Sequence, residues 1–261
     1  IMSLVLAGAM VLSLGACSGG GTAETTKAEL TEAVTAASSE EGTEAASEAG
    51  EGAGQTAEGT TYKIGILQLV QHTALDAANE GFIAALDEAG IQYDLDSQNA
   101  SGDQSACQTV ASKFANDKKD LILAIATPAA QAVAGAVTDT PVLITAVTDP
   151  AESGLVDDNQ KPGGNVTGTS DLTPVKEQID LLKQILPDAK KVGILYCSAE
   201  SNSEIQAQMA REAIEAAGMT SQDFTVSSSN EIQTVVQSMV GKVDAIYAPT
   251  DNTIAAGMTT V

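Results

Sequence analysis

The sequence predicts an α/β protein of two lobes, each built on a parallel sheet, with the C-terminal part of the second lobe missing. Three observations carry this. From Tyr62 onward, short apolar runs alternate with amphipathic stretches, the pattern of βαβ units and doubly wound sheets. The opening unit then returns: "KIGIL" at 63–67 is echoed by "KVGIL" at 191–195, and a glycine follows each initial lysine by 27 residues, Gly90 and Gly218. Later, "KKDLILAIATPAA" (118–130) has a counterpart in "GKVDAIYAPTDNT" (241–253). Equal length and matched order make this an internal repeat of one architecture.

Taken in order, the chain opens with sixteen apolar residues, too few for a comfortable membrane span. "LGAC" (14–17) then sets small residues before Cys17. This resembles the lipobox of bacterial lipoprotein signal peptides, which implies cleavage before Cys17 and lipidation of that residue. Residues 1–16 are therefore excluded from the fold. The stretch 17–61 is Ala, Gly, Thr, Ser and Glu, with nine Glu and one Lys. It cannot bury enough apolar surface to offset the entropy of ordering, so a disordered acidic linker is expected. Lobe 1 is assigned to 62–171 and lobe 2 to 172–261.

In lobe 1, "KIGILQL" (63–69) is a nearly continuous apolar run, as in a parallel strand covered on both faces. Residues 74–90 read as a helix with Leu75, Ala78, Phe82, Ile83 and Leu86 on one stripe and Gly90 as its stop. Strands at 92–98, 121–127 and 141–147 alternate with helices at 105–119 and 128–137. The second lobe repeats the strand and helix from Lys191 to Gly218 and then supplies "AIYAPTD". With only three strands it leaves an edge exposed, which predicts that several tens of residues follow in the whole protein.

Composition narrows the function. The formal net charge is −23, which repels phosphates and argues against nucleic-acid binding. About −8 of it falls in 17–61, leaving −15 for the lobes as a solvated surface. The single histidine, His72, has no second ligand nearby in sequence, so no metal site is expected. P-loop, G-x-S-x-G and G-x-G-x-x-G motifs are absent, and no cofactor is expected. Cys107 lies on a helical stripe with Val110 and Phe114 and reads as packing. A bond from Cys107 to Cys197 would tie the lobes together, so free thiols are expected.

Six apolar runs end in polar breaks: "QLVQHTALD" (68–76), "ATPAAQ" (126–131), "AVTDPAES" (146–153), "TGTSDLTP" (167–174), "YCSAESNSE" (196–204) and "APTDNT" (248–253). In open α/β sheets, ligands bind at the carboxyl ends of the strands. Helix N-termini there suit a carboxylate, and aspartates suit an ammonium. Singly, such residues also serve as ordinary caps and turns. Six of them on one side of two sheets point to a binding cleft.

These breaks, with "GILQLVQHTALDAANEGFIAAL", "AVTDPAESGLV" and "NVTGTSDLTPV", resemble the substrate-binding lipoproteins of ABC transporters of the tryptophan/tyrosine-uptake kind, over the whole of 62–261 and in order. The resemblance implies a type I periplasmic-binding fold, two Rossmann-like lobes joined by a hinge. It implies capture of a small solute, an aromatic amino acid, and delivery to a membrane permease, from a site outside the cytoplasmic membrane where the lipid on Cys17 anchors the chain. Gln71 and His72 would line the lobe-one wall. Thr127 and Ala129 would donate to the solute carboxylate, and Ser170 and Asp171 lie at the crossing between lobes. Asn202 and Ser203 would close from lobe 2. Asp251 and Asn252 are the first choice for the ammonium, with Asp149 a second candidate. Two other readings stay open: a ligand-sensing receptor of the same fold, and a cleft enzyme using Cys197 and His72. The solute itself is not chosen by the sequence, because lobe 1 offers few aromatics.

Overall fold

The computed structural model describes residues 59–261. The expected signal peptide, Cys17 and the linker up to residue 58 lie outside the described residues. Eight strands form two parallel sheets. The first holds β1 (Thr61–Gln68), β2 (Gln92–Asn99), β3 (Leu121–Ile125), β4 (Val142–Val147) and β5 (Val166–Ser170), in the order β2-β1-β3-β4-β5. The second holds β6 (Lys191–Cys197), β7 (Thr220–Val226) and β8 (Ala245–Tyr247), in the order β7-β6-β8. Helices α1 (Thr73–Glu88), α2 (Gln104–Asp117) and α3 (Thr127–Ala136) connect the first sheet. Helices α4 (Val175–Ile185), α5 (Ser201–Ala216), α6 (Ile232–Met239) and α7 (Asn252–Ala256) belong to the second. Among the described residues, no helix is long and apolar enough to cross a membrane.

The repeat read from the sequence is physical. Asp120 and Asp244, one residue before β3 and β8, play the same part in each sheet. The Asp120 carboxylate accepts from Lys63 N at 2.7 Å and its own N–H returns to Lys63 O at 2.8 Å. The Asp244 carboxylate accepts from Lys190 N and Lys191 N at 2.8 and 2.9 Å, and its N–H returns to Lys191 O. Each aspartate thereby ties the start of its strand to the start of the neighbouring strand, β1 or β6, and fixes the register.

The glycines within the echoed motifs also correspond. A Cβ on Gly65 would stand 2.9 Å from the Phe114 ring of α2, and one on Gly193 would stand 2.5 Å from Met239 of α6 and 3.3 Å from Phe224. In both sheets the echoed strand, β1 or β6, gives up a side chain so that a large residue can lie across it, completing two apolar cores. Burial on both faces explains the continuous apolar runs of β1, β3 and β6.

One element departs from the sequence reading. Residues 166–170, read as a polar break, form β5 at the sheet edge, with four of five residues exposed. An edge strand in water needs no apolar run. Gly168 is required there, because any Cβ would collide with the Ile144 carbonyl of β4.

Candidate functional site

The carboxyl ends of the two sheets face each other and are joined by polar contacts. Gln131 of α3 donates to the Ser201 hydroxyl of α5 at 3.2 Å, and Gln104 of α2 donates to the Ala199 carbonyl. His72 Nε2 meets Asn252 Oδ1 at 3.5 Å, and Gln206 of α5 donates to the Thr148 hydroxyl at 3.1 Å. The cleft is therefore shut over the strand ends.

The N-terminus of α3 lies inside it. Ala126, the residue before the helix, cannot cap with a side chain, and no other side chain caps the helix. The first intrahelical bond here runs from Ala130 N to Ala126 O, so the N–H groups of Thr127 and Ala129 precede the helical ladder. Both residues are buried, and the Thr127 hydroxyl has no hydrogen-bond partner. Ala126 adopts φ 83°, ψ 151°, a region populated essentially by glycine and costing on the order of 1–3 kcal/mol. Pro128, with no N–H, follows in the first turn. Strained backbone, buried donors and the positive end of a ten-residue helix together form a cradle for an anion.

Asp171 follows β5, where the chain leaves the first sheet. Burial raises its carboxyl above the usual range, an effect partly offset by the Thr148 hydroxyl and its own backbone. One carboxylate oxygen is buried without a partner. Its neighbour Ser170 is spent on the turn, donating to Thr148 O at 2.6 Å and accepting from Leu172 N.

On the facing lobe, Asp251 is held by its own fold. Its carboxylate was expected to meet an ammonium across the cleft, but it is 4% exposed and points into lobe 2. It accepts from Cys197 N at 2.6 Å, the Ser203 hydroxyl at 2.7 Å and Ile254 N at 2.7 Å, capping α7. Burial and the neighbouring Glu200 charge push it up to about 6. Ser203 is committed with it and is fully buried. Glu200 accepts from Asn252 N, Asn252 Nδ2, Thr253 N and the Thr253 hydroxyl, filling the same helix mouth. Asn202 differs: its amide nitrogen reaches Thr250 O at 3.1 Å, while its buried Oδ1 has no partner. Three of the sequence-named residues, Thr127, Asp171 and Asn202, thus each carry a buried polar oxygen that the protein leaves unbonded.

Asp149 is bonded within its own loop. One of its oxygens gathers Ala151 N, Glu152 N and Asn159 Nδ2 at 2.8–3.1 Å, which makes it the organiser of the turn after β4. Gln71 is exposed, and His72 is half-buried against Asn252.

A cavity of about 250 Å³ opens between the lobes on the β2 and β7 flank. Its walls include Leu69, Val70 and Pro128 from one side and Ala199 and Ala256 from the other. Ser101, Gln104 and the run Ser227–Asn230 rim it with hydroxyls and amides. The volume suits one small molecule, being just under the roughly 300–1,000 Å³ of drug-sized pockets. The sequence reading missed these two loops. Each follows a strand end, but β2 and β7 are half-polar and had not drawn attention as strands bordering the cleft. Tyr196 and Tyr247 are buried and bonded to Asp223 and Gln178, inside lobe 2.

Cys107 and Cys197 are free and buried. Burial pushes the Cys197 thiol up, the wrong direction for a nucleophile, and the hydrogen-bond partner of His72 is Asn252. Among the described residues, no group of three or more His, Cys, Asp or Glu side chains could hold a metal.

A family model described as ABC transporter substrate binding protein matches residues 63–261. A tyrosine-binding protein of Clostridioides difficile is 45% identical over 199 residues, 75% of this chain and 58% of its own length. The chain thus spans well under two thirds of that curated relative. A Streptococcus pneumoniae ABC domain solved with L-Trp is 45% identical, covering 77% of this chain and 69% of that one, with a TM-score of 0.74. The ligand-free, open structure of a Clostridium difficile substrate binding protein with adhesive properties is 46% identical over 77% of this chain and 70% of that one, with a TM-score of 0.54. A leucine-binding protein of Thermotoga maritima, 16% identical over 72% of this chain and 56% of that one, shares the fold at a TM-score of 0.55.

Proposed function

The chain belongs to the ABC transporter substrate-binding protein family, and from that premise we propose that it captures a free aromatic α-amino acid between its lobes and hands it to a membrane permease. The observation that carries this is the set of unbonded buried groups on the closed cleft. The open mouth of α3, with the Thr127 hydroxyl and the N–H groups of Thr127 and Ala129, suits the solute carboxylate. The unpaired oxygens of Asp171 and Asn202 are acceptors suited to its ammonium. Leaving such groups unmatched costs about 1–3 kcal/mol each, a cost that a solute with both charges removes.

The flank cavity takes the side chain. It offers apolar walls to a ring and hydroxyls to a polar substituent. The closed form supports the same reading: at near-equal identity, the fold superposes better on the relative holding L-Trp than on the open, ligand-free one. Closure follows from contacts that exist only when the lobes meet, and the solute shifts the balance by the contacts it adds there. No chemistry on the solute is needed. Function outside the cytoplasmic membrane, with a lipid on Cys17 as the tether, completes the proposal.

The test is calorimetric titration of the full-length protein with L-tyrosine, L-tryptophan and L-phenylalanine, beside their N-acetyl and methyl-ester forms. The free amino acids bind, and each derivative, lacking one charge, loses binding. A derivative that binds as well as its parent would remove that charge from the recognition scheme.

A further inference from the structure

Gln131 and Ser201 join the two lobes beside the groups assigned to the solute. Gln131 stands on α3 four residues beyond Thr127, one turn and roughly 6 Å along the helix, so the two share a face. Ser201 opens α5 and is followed by Asn202. The pair therefore sits between the helix mouth that suits the solute carboxylate and an oxygen that suits its ammonium.

Each partner is held by its own lobe. The Gln131 amide nitrogen donates to the Ser153 carbonyl at 3.0 Å, within lobe 1. A carbonyl can only accept, so this bond fixes which end of the amide is the nitrogen. Ser153 belongs to the turn organised by Asp149 and donates its N–H to Asp149 O at 2.9 Å. On the facing lobe, two bonds pin the first turn of α5. Asn202 Nδ2 reaches Thr250 O at 3.1 Å, and the Ser203 hydroxyl reaches the Asp251 carboxylate at 2.7 Å. Across the cleft, the Gln131 amide meets the Ser201 hydroxyl with both ends, Nε2 as donor at 3.2 Å and Oε1 as acceptor at 3.4 Å. Among the described residues, that hydroxyl has no other partner.

Two anchored groups joined by one contact hold the closed lobes at a fixed separation. An α-amino acid carries its carboxylate and ammonium on one carbon, and a β-amino acid sets them one methylene farther apart. We propose that the Gln131–Ser201 contact is a spacing gauge, which holds the mouth of α3 and Asn202 at the separation an α-amino acid spans and so selects α- over β-amino acids. Both are positioning residues, acting on the solute through the groups they space. The inference rests on the reading that the cleft takes a free amino acid with its carboxylate on α3.

The experiment titrates L-tyrosine and L-β-homotyrosine, which has the same side chain and one more methylene between its charges, into the full-length protein and its variants. Gln131→Ala and Ser201→Ala remove the contact, and Ser201→Thr keeps the hydroxyl. The wild type favours L-tyrosine by about tenfold or more, the loss of one charge-assisted hydrogen bond by the misfitting homologue. In Q131A and S201A that preference shrinks about threefold, the size of one part-exposed neutral hydrogen bond. The double variant adds nothing further, because both changes delete the same contact. S201T keeps the wild-type preference. A purely structural contact would lower the melting temperature and weaken both solutes equally, leaving their ratio unchanged. If the wild type binds neither solute, the amino-acid reading fails and the gauge goes with it. If it binds L-tyrosine, yet binds the homologue equally well or keeps its preference in Q131A and S201A, the gauge alone is overturned.

Discussion

Replacing Asp171 by asparagine should separate binding from stability, moving them in opposite directions. The change keeps shape and removes charge. In the free protein, burial raises the Asp171 carboxyl above its usual range, so the charged form is penalised in the folded state. For a carboxyl shifted upward, the stabilising contribution is complete below the unfolded value and is lost as pH rises through the folded one. At pH 7 asparagine has no such penalty, and the free variant should melt at or above the wild-type temperature. Binding should suffer. A charge-assisted hydrogen bond contributes about 1.5–3 kcal/mol net, which is roughly a 10- to 150-fold rise in Kd. Thermal melts without solute and calorimetry with L-tyrosine and L-tryptophan measure the two effects. A Kd within about twofold of wild type, or a variant that melts clearly lower without solute, would refute the assignment.

Asp251→Asn should do the reverse. It breaks up three acceptor contacts and should cost about 1–3 kcal/mol in denaturant unfolding, with the solute still bound by the folded fraction. In the wild type, Asp251, pushed up to about 6, should make the free protein more stable as pH falls from 7 toward 4. The opposing term is Asp96: burial would raise it, but hydrogen bonds from Lys113, Gln98 and Lys119 outweigh that and hold it at about 2. Its contribution is present above the unfolded value and disappears as pH falls through about 2, so a pH series of melts should peak between roughly 4 and 6. Gly65→Ala should destabilise by about 1–3 kcal/mol, and more than Gly193→Ala, because its Cβ meets a rigid ring rather than a methionine methyl; paired denaturant curves decide. Ala126→Gly should relieve the positive φ and raise the melting temperature, by about 1 kcal/mol net of the added chain entropy.

Local pattern carries some of these features and not others. The buried strands β1, β3 and β6 could be seen because both faces are covered and the runs are nearly unbroken. β5 could not, since an edge strand with four exposed residues has no apolar signature. Thr127, Asp171 and Asn202 could be named because each follows a strand or precedes a helix. Asp251 was nameable by the same rule, and its carboxylate bonds to its own lobe. An aspartate at a helix mouth looks the same in sequence whether it faces a solute or its own fold. What distinguishes them is Cys197 N and the Ser203 hydroxyl, 54 and 48 residues away. The serine run 227–229 was within reach: it sits after β7 as Ser101 does after β2, and the internal repeat relates the two loops.

That repeat also gives the cleft its asymmetry. The junction between β3 and α3 corresponds to the junction between β8 and α7, with Ala126 and Asp251 as the residues that precede the two helices. In the second copy the helix mouth is filled from within, by Asp251 on Ile254 N and by Glu200 on the N–H groups of Asn252 and Thr253. Two buried acids occupy the place where an anionic ligand would have to sit, so a solute carboxylate is repelled from lobe 2. In the first copy, Ala126 precedes α3 where Asp251 precedes α7, and His72 precedes α1 where Glu200 precedes α5; the backbone is strained at Ala126, and no side chain caps α3. A zwitterion entering the cleft therefore has one orientation, carboxylate toward α3 of the first lobe, and its side chain is left to the cavity on the flank. Blocking the α3 mouth with Thr127→Asp should abolish binding of L-tyrosine while leaving the fold intact, since a carboxylate in the first turn suits the positive end of the helix it blocks.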